Sequence, residues 1–556
     1  PDRQALAVPA VQGNGASLAA VPSASLQDAA RLARQASFGP TEALLQEIQA
    51  RGAARWVADQ MTLDVSRYTS GRGDAVHRNV GEVFFCDLPA HSGPHCWRDW
   101  FSTEPLVWDF YRNAVSQPDQ LRQRVALALQ QLLVISELEL SGTYGFRRHH
   151  NRLLSLAFGN YRDVLRAITL SPMMGEYLDH VNNDRNLPNE NFARELLQLF
   201  SIGTCRLRTD GQLAGGSCKP NYDNAVVREY AFALTGWTYP PGGSAAWGCW
   251  PEGANCPYLD GDMVPAAPAL RNDGARRLLS GVQVPAGASA PQALDAVLES
   301  LMRHPSMGPF VCQHLIRQLV RSNPAPAQVS RCTRAFDNGV YANAGITFGG
   351  SGRGDLAATV AAVLLDREAR GSNGTGPTAG LLREPILLFT GALRAFGGRT
   401  DGAIHGWWWG ESLNQHVFRP PSVFNFYPPD YPVAGTGGLV GPQFAIHNAN
   451  TGMNRLNYLT ALFDWRCCDP DPAIPGAIGT RVDTRPFEPR AADAGVLVDD
   501  ISRIVLGRTL AAAARERVVE AVRFWDAGSD PASWQRRRVE TAAWLVLASP
   551  DYQVQP

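Results

Sequence analysis

A mostly α-helical fold follows from three features of this 556-residue chain. Apolar residues recur at helical spacing in long, capped segments. Period-2 alternation is scarce, and neither a βαβ series nor a repeat of about 20–50 residues is visible. The length exceeds that of a usual single domain, so two or more packed subdomains are expected. An apolar share of 45% and a charged share of 19% describe a globular protein with a large core.

Residues 1–24, rich in Ala, Val, Ser and Gly, read as a flexible lead-in. Ser25 with Asp28 makes a capping pattern that opens a helix through about Gln35. Phe38-Gly39-Pro40 breaks it, and Thr41 caps a second helix towards Arg51. The stretch 105–137 is strongly helical, and from Leu121 to Ile135 it is apolar around most of its circumference, as in the central helix of a bundle. Residues 148–180 supply a further pair, and 189–202 and 222–235 two more.

From Cys205 to about Asp273 the composition shifts to Gly, Pro, Cys and Trp. This stretch (about 205–273), like that at about 80–100, is read as a Cys-rich loop insertion in a main helical domain spanning 25–400. Helices resume near 291–303, 308–321, 326–337, 355–370 and 380–395. Residues 401–490 are an irregular, aromatic loop region. Residues 491–556, with helices near 496–507, 512–526 and 532–548, form a small C-terminal helical subdomain.

The net charge of −1 favours no bulk electrostatic partner, so neither nucleic acid nor an anionic membrane is expected. Lys219 is the only lysine, which makes Schiff-base or amine catalysis a poor reading. The remaining basic residues are Arg, suited to fixed ion pairs and forked carboxylate recognition, although genomic codon bias also produces such a balance. The ten cysteines lie mostly as near neighbours in Gly/Pro-rich surroundings, which argues for disulfides and export. Local pairing is expected for Cys86 and Cys96, Cys205 and Cys218, Cys249 and Cys256, and Cys312 and Cys332; Cys467 and Cys468 could join each other or reach different partners. A start at Pro1 fits a mature form without its signal peptide, and no apolar run reaches the ~18 residues of a spanning helix. A secreted or periplasmic location is therefore expected.

The stretch from Tyr177 to Trp237 carries the densest chemistry. Carboxylates, amides and arginines interrupt core-like runs there, and leaving such groups dry and unpaired would cost about 2–7 kcal/mol each. Glu190 and Arg194 share a helix face, as do Asn191 and Glu195. Glu190 and Glu195 diverge by roughly 140°, so an acid/base pair needs a second carboxylate from elsewhere, with Asp179, Asp184, Asp223 and Glu229 nearest in sequence. The competing reading is a buried Arg–Glu network that locks helices together. Trp237, Tyr239, Trp247 and Trp250 follow in one Gly/Pro-rich stretch and Trp407-Trp408-Trp409 in another. Exposed rings on loops suit stacking on sugars, whereas buried ones merely fill loop cores.

Cys86, His91, His95 and Cys96 have a metal-like composition without a zinc spacing. Adjacent His149 and His150 would not chelate jointly, and His180 reads as a core or capping residue. Asp260-Gly261-Asp262 and Asp469-Pro470-Asp471 make calcium the one cation considered, but as turns they lack an EF-hand spacing. No haem-attachment motif, nucleophile elbow, P-loop or dinucleotide fingerprint is present.

P-N-E-N-F-A-R-E-L-L-Q-L-F-S-I-G at 188–203 with A-L-T-G-W at 233–237 resembles the signature of the bacterial "domain of unknown function 1800" family. A-R-L-A-R-Q-A-S-F-G-P near the start, L-R-Q-R-V-A-L-A-L at 121–129, L-R-E-P at 382–385 and R-P-P-S-V-F-N-F-Y at 419–427 support the resemblance, which covers about 28–553. It implies an exported protein, often encoded beside a sulfatase-like companion, and little biochemistry. Asn189 stands where an Asp is common and Gln443 where a Glu is common.

The reading that joins these observations is an exported protein that cleaves a polysaccharide glycosidic bond, by hydrolysis or elimination. Glu190, Glu195, Asp179 and Glu229 are its acid/base candidates. Asn183, Asn191, Arg194 and Arg228 would orient them or hold substrate, and Trp237, Trp247, Trp250, Trp407 and Trp408 would form subsites. The alternatives are a non-catalytic surface or matrix assembly protein and a metal-dependent enzyme with carboxylate ligands.

Overall fold

The structure, a computed structural model, describes residues 24–72, 79–80, 83–243, 249–370, 378–465, 467–528 and 530–555. It is about 49% helical, and its sheets are two-stranded ribbons. The expected caps form: Ser25 Oγ accepts from Asp28 N at 3.2 Å, and Thr41 Oγ1 from Leu44 N at 3.0 Å. The stretch expected to be helical over 105–137 divides into Glu104–Ser116 and Gln120–Gln130 around Pro118, which cannot donate the next helical hydrogen bond. Gln120–Gln130 is buried on nearly all sides, as its apolar circumference requires. The helices Ala53–Thr62 and Ala449–Phe463 and the hairpin Val340–Asn343/Ile346–Gly349 were not anticipated. Among the described residues, no helix is long and apolar enough to cross a membrane.

One continuous apolar core runs from Ala29 to Tyr552. Met307–Leu319, Pro326–Asn338 and Leu356–Leu364 pack as a trio, and so do Ala494–Leu506, Ala512–Arg523 and Trp534–Ala548. The second trio also packs on Leu26–Ala36 and Ala449–Phe463, and the last strand, Val554–Gln555, pairs with Leu381–Leu382. All five local cysteine pairs are disulfides, including Cys467–Cys468.

Buried and half-buried arginines close the ends of helices. A helix leaves its last four carbonyls without partners, and a guanidinium offers five donors and a positive charge to that negative end. Arg122 donates to the Leu63 carbonyl at 2.6 Å and to that of Leu154 at 3.0 Å, at the ends of Ala53–Thr62 and Thr143–Leu156. Arg394 donates to the Val115 carbonyl at 2.8 Å, in the last turn of Glu104–Ser116, and to Gly39 at 2.9 Å. Arg271 bonds the carbonyls of Ala233 at 2.8 Å and Thr235 at 3.1 Å, closing Asn224–Ala233. Arg34 reaches Val505 at 3.3 Å near the end of Ala494–Leu506, and Arg538 reaches Trp525 at 2.6 Å beyond Ala512–Arg523. Burial pushes the Arg394 guanidinium down to about 10.

Glu384, 3% exposed, is the acidic counterpart. Its Oε2 accepts from Gln131 Nε2 at 3.0 Å and Gln415 Nε2 at 2.6 Å, and lies 2.8 Å from the Tyr427 hydroxyl. Gln415 Oε1 in turn accepts from the Ile386 backbone at 3.1 Å. Four segments distant in sequence thus meet on one carboxylate.

Arg394→Lys is expected to cost ~3 kcal/mol in urea unfolding, because an ammonium at one point lacks the spread of the fork, whose Nε reaches Gly39 while its Nη1 reaches Val115. Glu384→Ala is expected to cost ~3–5 kcal/mol, since it strands three buried polar partners.

Candidate functional site

The chain leaves the helix Pro172–Tyr177 through two residues in the left-handed region, Asp179 (φ 57°) and Asn182 (φ 56°), a conformation that Asn and Asp tolerate best among non-glycine residues. Asn182 N donates to the Trp237 carbonyl at 2.9 Å, and its Nδ2 to that of Trp250 at 3.3 Å. Asn183 holds both backbone groups of Asn189, accepting from its N at 2.7 Å and donating to its O at 3.1 Å. Asp184 caps the intervening turn through Asn186 N (2.6 Å) and Leu187 N (3.0 Å). Asn189 Oδ1 accepts from Asn191 N at 2.8 Å, and Asn191 Nδ2 donates to Asp179 Oδ2 at 3.3 Å. These contacts seat the helix Asn191–Gln198.

Glu190 and Glu195 point apart, as their spacing requires. Glu190 Oε2 accepts from Arg194 Nη2 at 3.1 Å and its Oε1 from Arg228 Nε at 3.3 Å, while Arg194 Nη1 donates to Asn224 Oδ1 at 3.2 Å. This partly exposed clamp ties Asn191–Gln198 to Asn224–Ala233. Glu195 turns inward: it is 8% exposed, its Oε2 has no hydrogen-bond partner among the described residues, and burial raises its pKa against the opposing effect of Arg194. The Tyr222 hydroxyl, also without a partner among the described residues, is pushed up to about 12 by burial and then by Glu195. Glu229 accepts from Arg277 N at 3.2 Å and pairs with Arg276 at 3.5 Å, so it anchors the hairpin Arg276–Arg277/Gln283–Val284. His180 is buried and stacked on Phe192, 4.5 Å between centroids.

The tryptophans divide. Trp237 is 4% exposed in the ribbon with Val264–Pro265, so it fills the interior and offers no open ring. Trp250 is 84% exposed beside Asn182. Trp247 lies outside the described residues. Trp407 and Trp408, 48% and 72% exposed, stand in a different neighbourhood. The Arg419 guanidinium stacks on Trp407 at 4.1 Å and pairs with Glu411 at 3.0 Å and Glu137 at 3.6 Å.

That second neighbourhood holds carboxyl groups the sequence reading did not single out. Glu137 takes two hydrogen bonds from Thr103, N to Oε1 at 3.0 Å and Oγ1 to Oε2 at 2.7 Å. Glu104, the first residue of Glu104–Ser116, is partly buried, and no side chain among the described residues hydrogen-bonds its carboxyl. Burial raises its pKa, Arg98 opposes the shift, and Glu137, Asp99 and Asp471 add to it. Arg98 is engaged with Asp99 at 2.8 Å and lies over the Trp108 ring at 5.2 Å. A partly buried carboxyl among like charges keeps its proton to higher pH, which suits a proton donor. In sequence Glu104 reads as a helix-start acid and Glu137 as the end of an apolar run; only the fold brings them together.

Among the described residues no three His, Cys, Asp or Glu groups assemble as a metal site. Arg148 pairs with Asp260 at 3.5 Å and Asp262 at 3.0 Å, and Asp469 pairs with Arg481. Cys86 and Cys96 are joined, and His91 stacks on Phe85 at 4.1 Å.

A family model described as "Protein of unknown function (DUF1800)" matches residues 31–554. No curated protein and no solved structure matches the chain.

Glu190→Gln is expected to change stability by less than about 1 kcal/mol, because its ion pairs face solvent. Asn183→Ala is expected to cost ~2 kcal/mol, because it releases both backbone groups of Asn189. Urea unfolding of the two variants side by side checks the order.

Proposed function

We propose, for a chain that belongs to the DUF1800 family of proteins of unknown function, that it is exported and cleaves a glycan, with Glu104 as the proton donor. The observation that carries this reading is the contrast between Glu104, whose pKa burial and neighbouring carboxylates raise, and Glu137, engaged by Thr103 and Arg419 beside the exposed rings of Trp407 and Trp408. The five disulfides support an oxidising compartment.

In the proposed reaction a sugar ring lies on Trp407 or Trp408, its C–H face against the π-surface. Glu104 gives its proton to the glycosidic oxygen as the bond to the anomeric carbon breaks. Glu137 offsets the positive charge that develops on the ring, and water then adds to the anomeric carbon and gives its proton to the Glu104 carboxylate, which restores the donor. The carboxyls of the 177–237 region have other work. Glu190 and Glu229 tie elements together, Asp179 holds Asn191, and Glu195 faces inward to Tyr222. A non-catalytic glycan-binding protein is the rival reading, and it needs the tryptophans without Glu104.

Glu104→Gln is expected to lower release of reducing ends from a responsive polysaccharide by at least about a hundredfold while leaving binding intact. Trp408→Ala is expected to weaken both. Equal turnover by wild type and Glu104→Gln, or binding without turnover by either, would overturn the assignment. Stability supplies an independent check. The folded-state pKa of Glu104 is raised, so the stability it contributes is present below the ordinary carboxylate value, about 4.3, and is lost as pH rises through the folded-state value. Thermal melts are expected to show Glu104→Gln gaining on wild type as pH rises towards 7, and the gain vanishing below about pH 4.

A further inference from the structure

Between the aromatic loop region and the C-terminal helices lies a cleft of about 780 Å³, a size in the range of small-ligand sites. Its apolar wall includes Leu462 and Val482, and Trp465, 66% exposed, stands at its side. Arg399 and Arg481 both line it, and their backbones pair in an antiparallel bridge, N to O 2.9 Å one way and 3.0 Å the other. Directly opposed residues of such a pair send their side chains to the same face, where like charges repel. Within the described residues the pair has one acidic side-chain partner. Asp469, the partner of Arg481, has a side chain 85% exposed to solvent. Arg399 has no side-chain partner among the described residues. The other two cleft arginines are engaged, Arg485 with Asp483 at 2.7 Å and Arg536 with Glu540 at 3.4 Å.

We propose that this cleft binds an acidic sugar, with a carboxylate or sulfate group held between Arg399 and Arg481 and the sugar ring against Trp465. A forked guanidinium matches either anion through two parallel hydrogen bonds, and an indole face matches the ring. The site adds a charge requirement that the Glu104 neighbourhood does not supply. It rests on the glycan reading for the kind of ligand but not for cleavage, and its test reads binding alone, so failure here and failure of catalysis at Glu104 are distinguishable.

The test is calorimetric titration of the full, oxidised protein with tetragalacturonate, a sulfated carrageenan tetrasaccharide and neutral maltotetraose, at two salt concentrations. The expected result is binding of at least one acidic oligosaccharide about tenfold or more tighter than the neutral one, weakened by salt and by about tenfold or more in Arg399→Ala. Trp465→Ala is expected to weaken acidic and neutral ligands alike. Preference for tetragalacturonate identifies a carboxylate ligand and preference for the carrageenan fragment a sulfate. Equal affinity for charged and neutral oligosaccharides, no binding of either acidic one, or full affinity in Arg399→Ala would overturn the proposal. Melting temperatures of the variants separate loss of the site from loss of the fold.

Discussion

The guanidinium–carbonyl bond at helix ends is the interaction on which the rest of this structure depends. A fold of many short helices joined by long loops has many buried ends, and each leaves carbonyls that must find donors. Here Arg34, Arg122, Arg271, Arg394 and Arg538 supply them from other elements of the chain. Arg34, Arg122, Arg394 and Arg538 each tie the helix they close to the helix they stand on, and Arg271 ties its helix to the loop that carries it. Lysine could not do this, because it offers no fixed fork and is dehydrated at greater cost. The near absence of lysine, readable as codon bias alone, therefore also has a structural use.

With the ends closed in this way, the polar groups of the 177–237 region serve mostly to set loops. Asn183 encloses the turn before the helix Asn191–Gln198, and Glu190 links that helix to Asn224–Ala233 through two arginines. Glu195 and Tyr222 stand apart from this pattern, as inward-facing groups whose buried oxygens have no hydrogen-bond partner among the described residues. The solvent-facing chemistry lies elsewhere. Trp407 stands with Arg419 and Glu137, Glu137 acts on Glu104, and the loop from Asp469 to Arg481 touches both sites, since Asp471 acts on Glu104 while Asp469 pairs with Arg481 at the arginine cleft.

Much of the fold was legible in the sequence because its signals are local. Ser25 and Thr41 cap the helices they precede, the apolar circumference of 121–130 marks a central helix, and neighbouring cysteines close short loops. The break at Pro118 was equally local but was overridden by the apolar periodicity on either side. The sites were less legible because they are assembled across the chain. Glu104 and Glu137 are 33 positions apart and come together only in the folded molecule, where Glu137 also meets Arg419. Arg399 and Arg481 face one another through a single backbone bridge that no periodicity announces. Polar density pointed to Glu190, but density alone cannot separate a clamp from a catalytic group. Trp237 shows the same limit, since its loop composition matches that of Trp250 while its ring is buried.

On the proposed assignment a glycan is held at Trp407 and Trp408 with its bridging oxygen at Glu104. The most direct measurement is a crystal structure of the Glu104→Gln protein soaked with an oligosaccharide from the polysaccharide that wild type degrades. The expected result is a sugar ring stacked on one of the two indoles and a glycosidic oxygen within hydrogen-bond reach of the residue 104 side chain. Sugar bound instead beside Glu190 and Trp250, with the Trp407 neighbourhood empty, would contradict it.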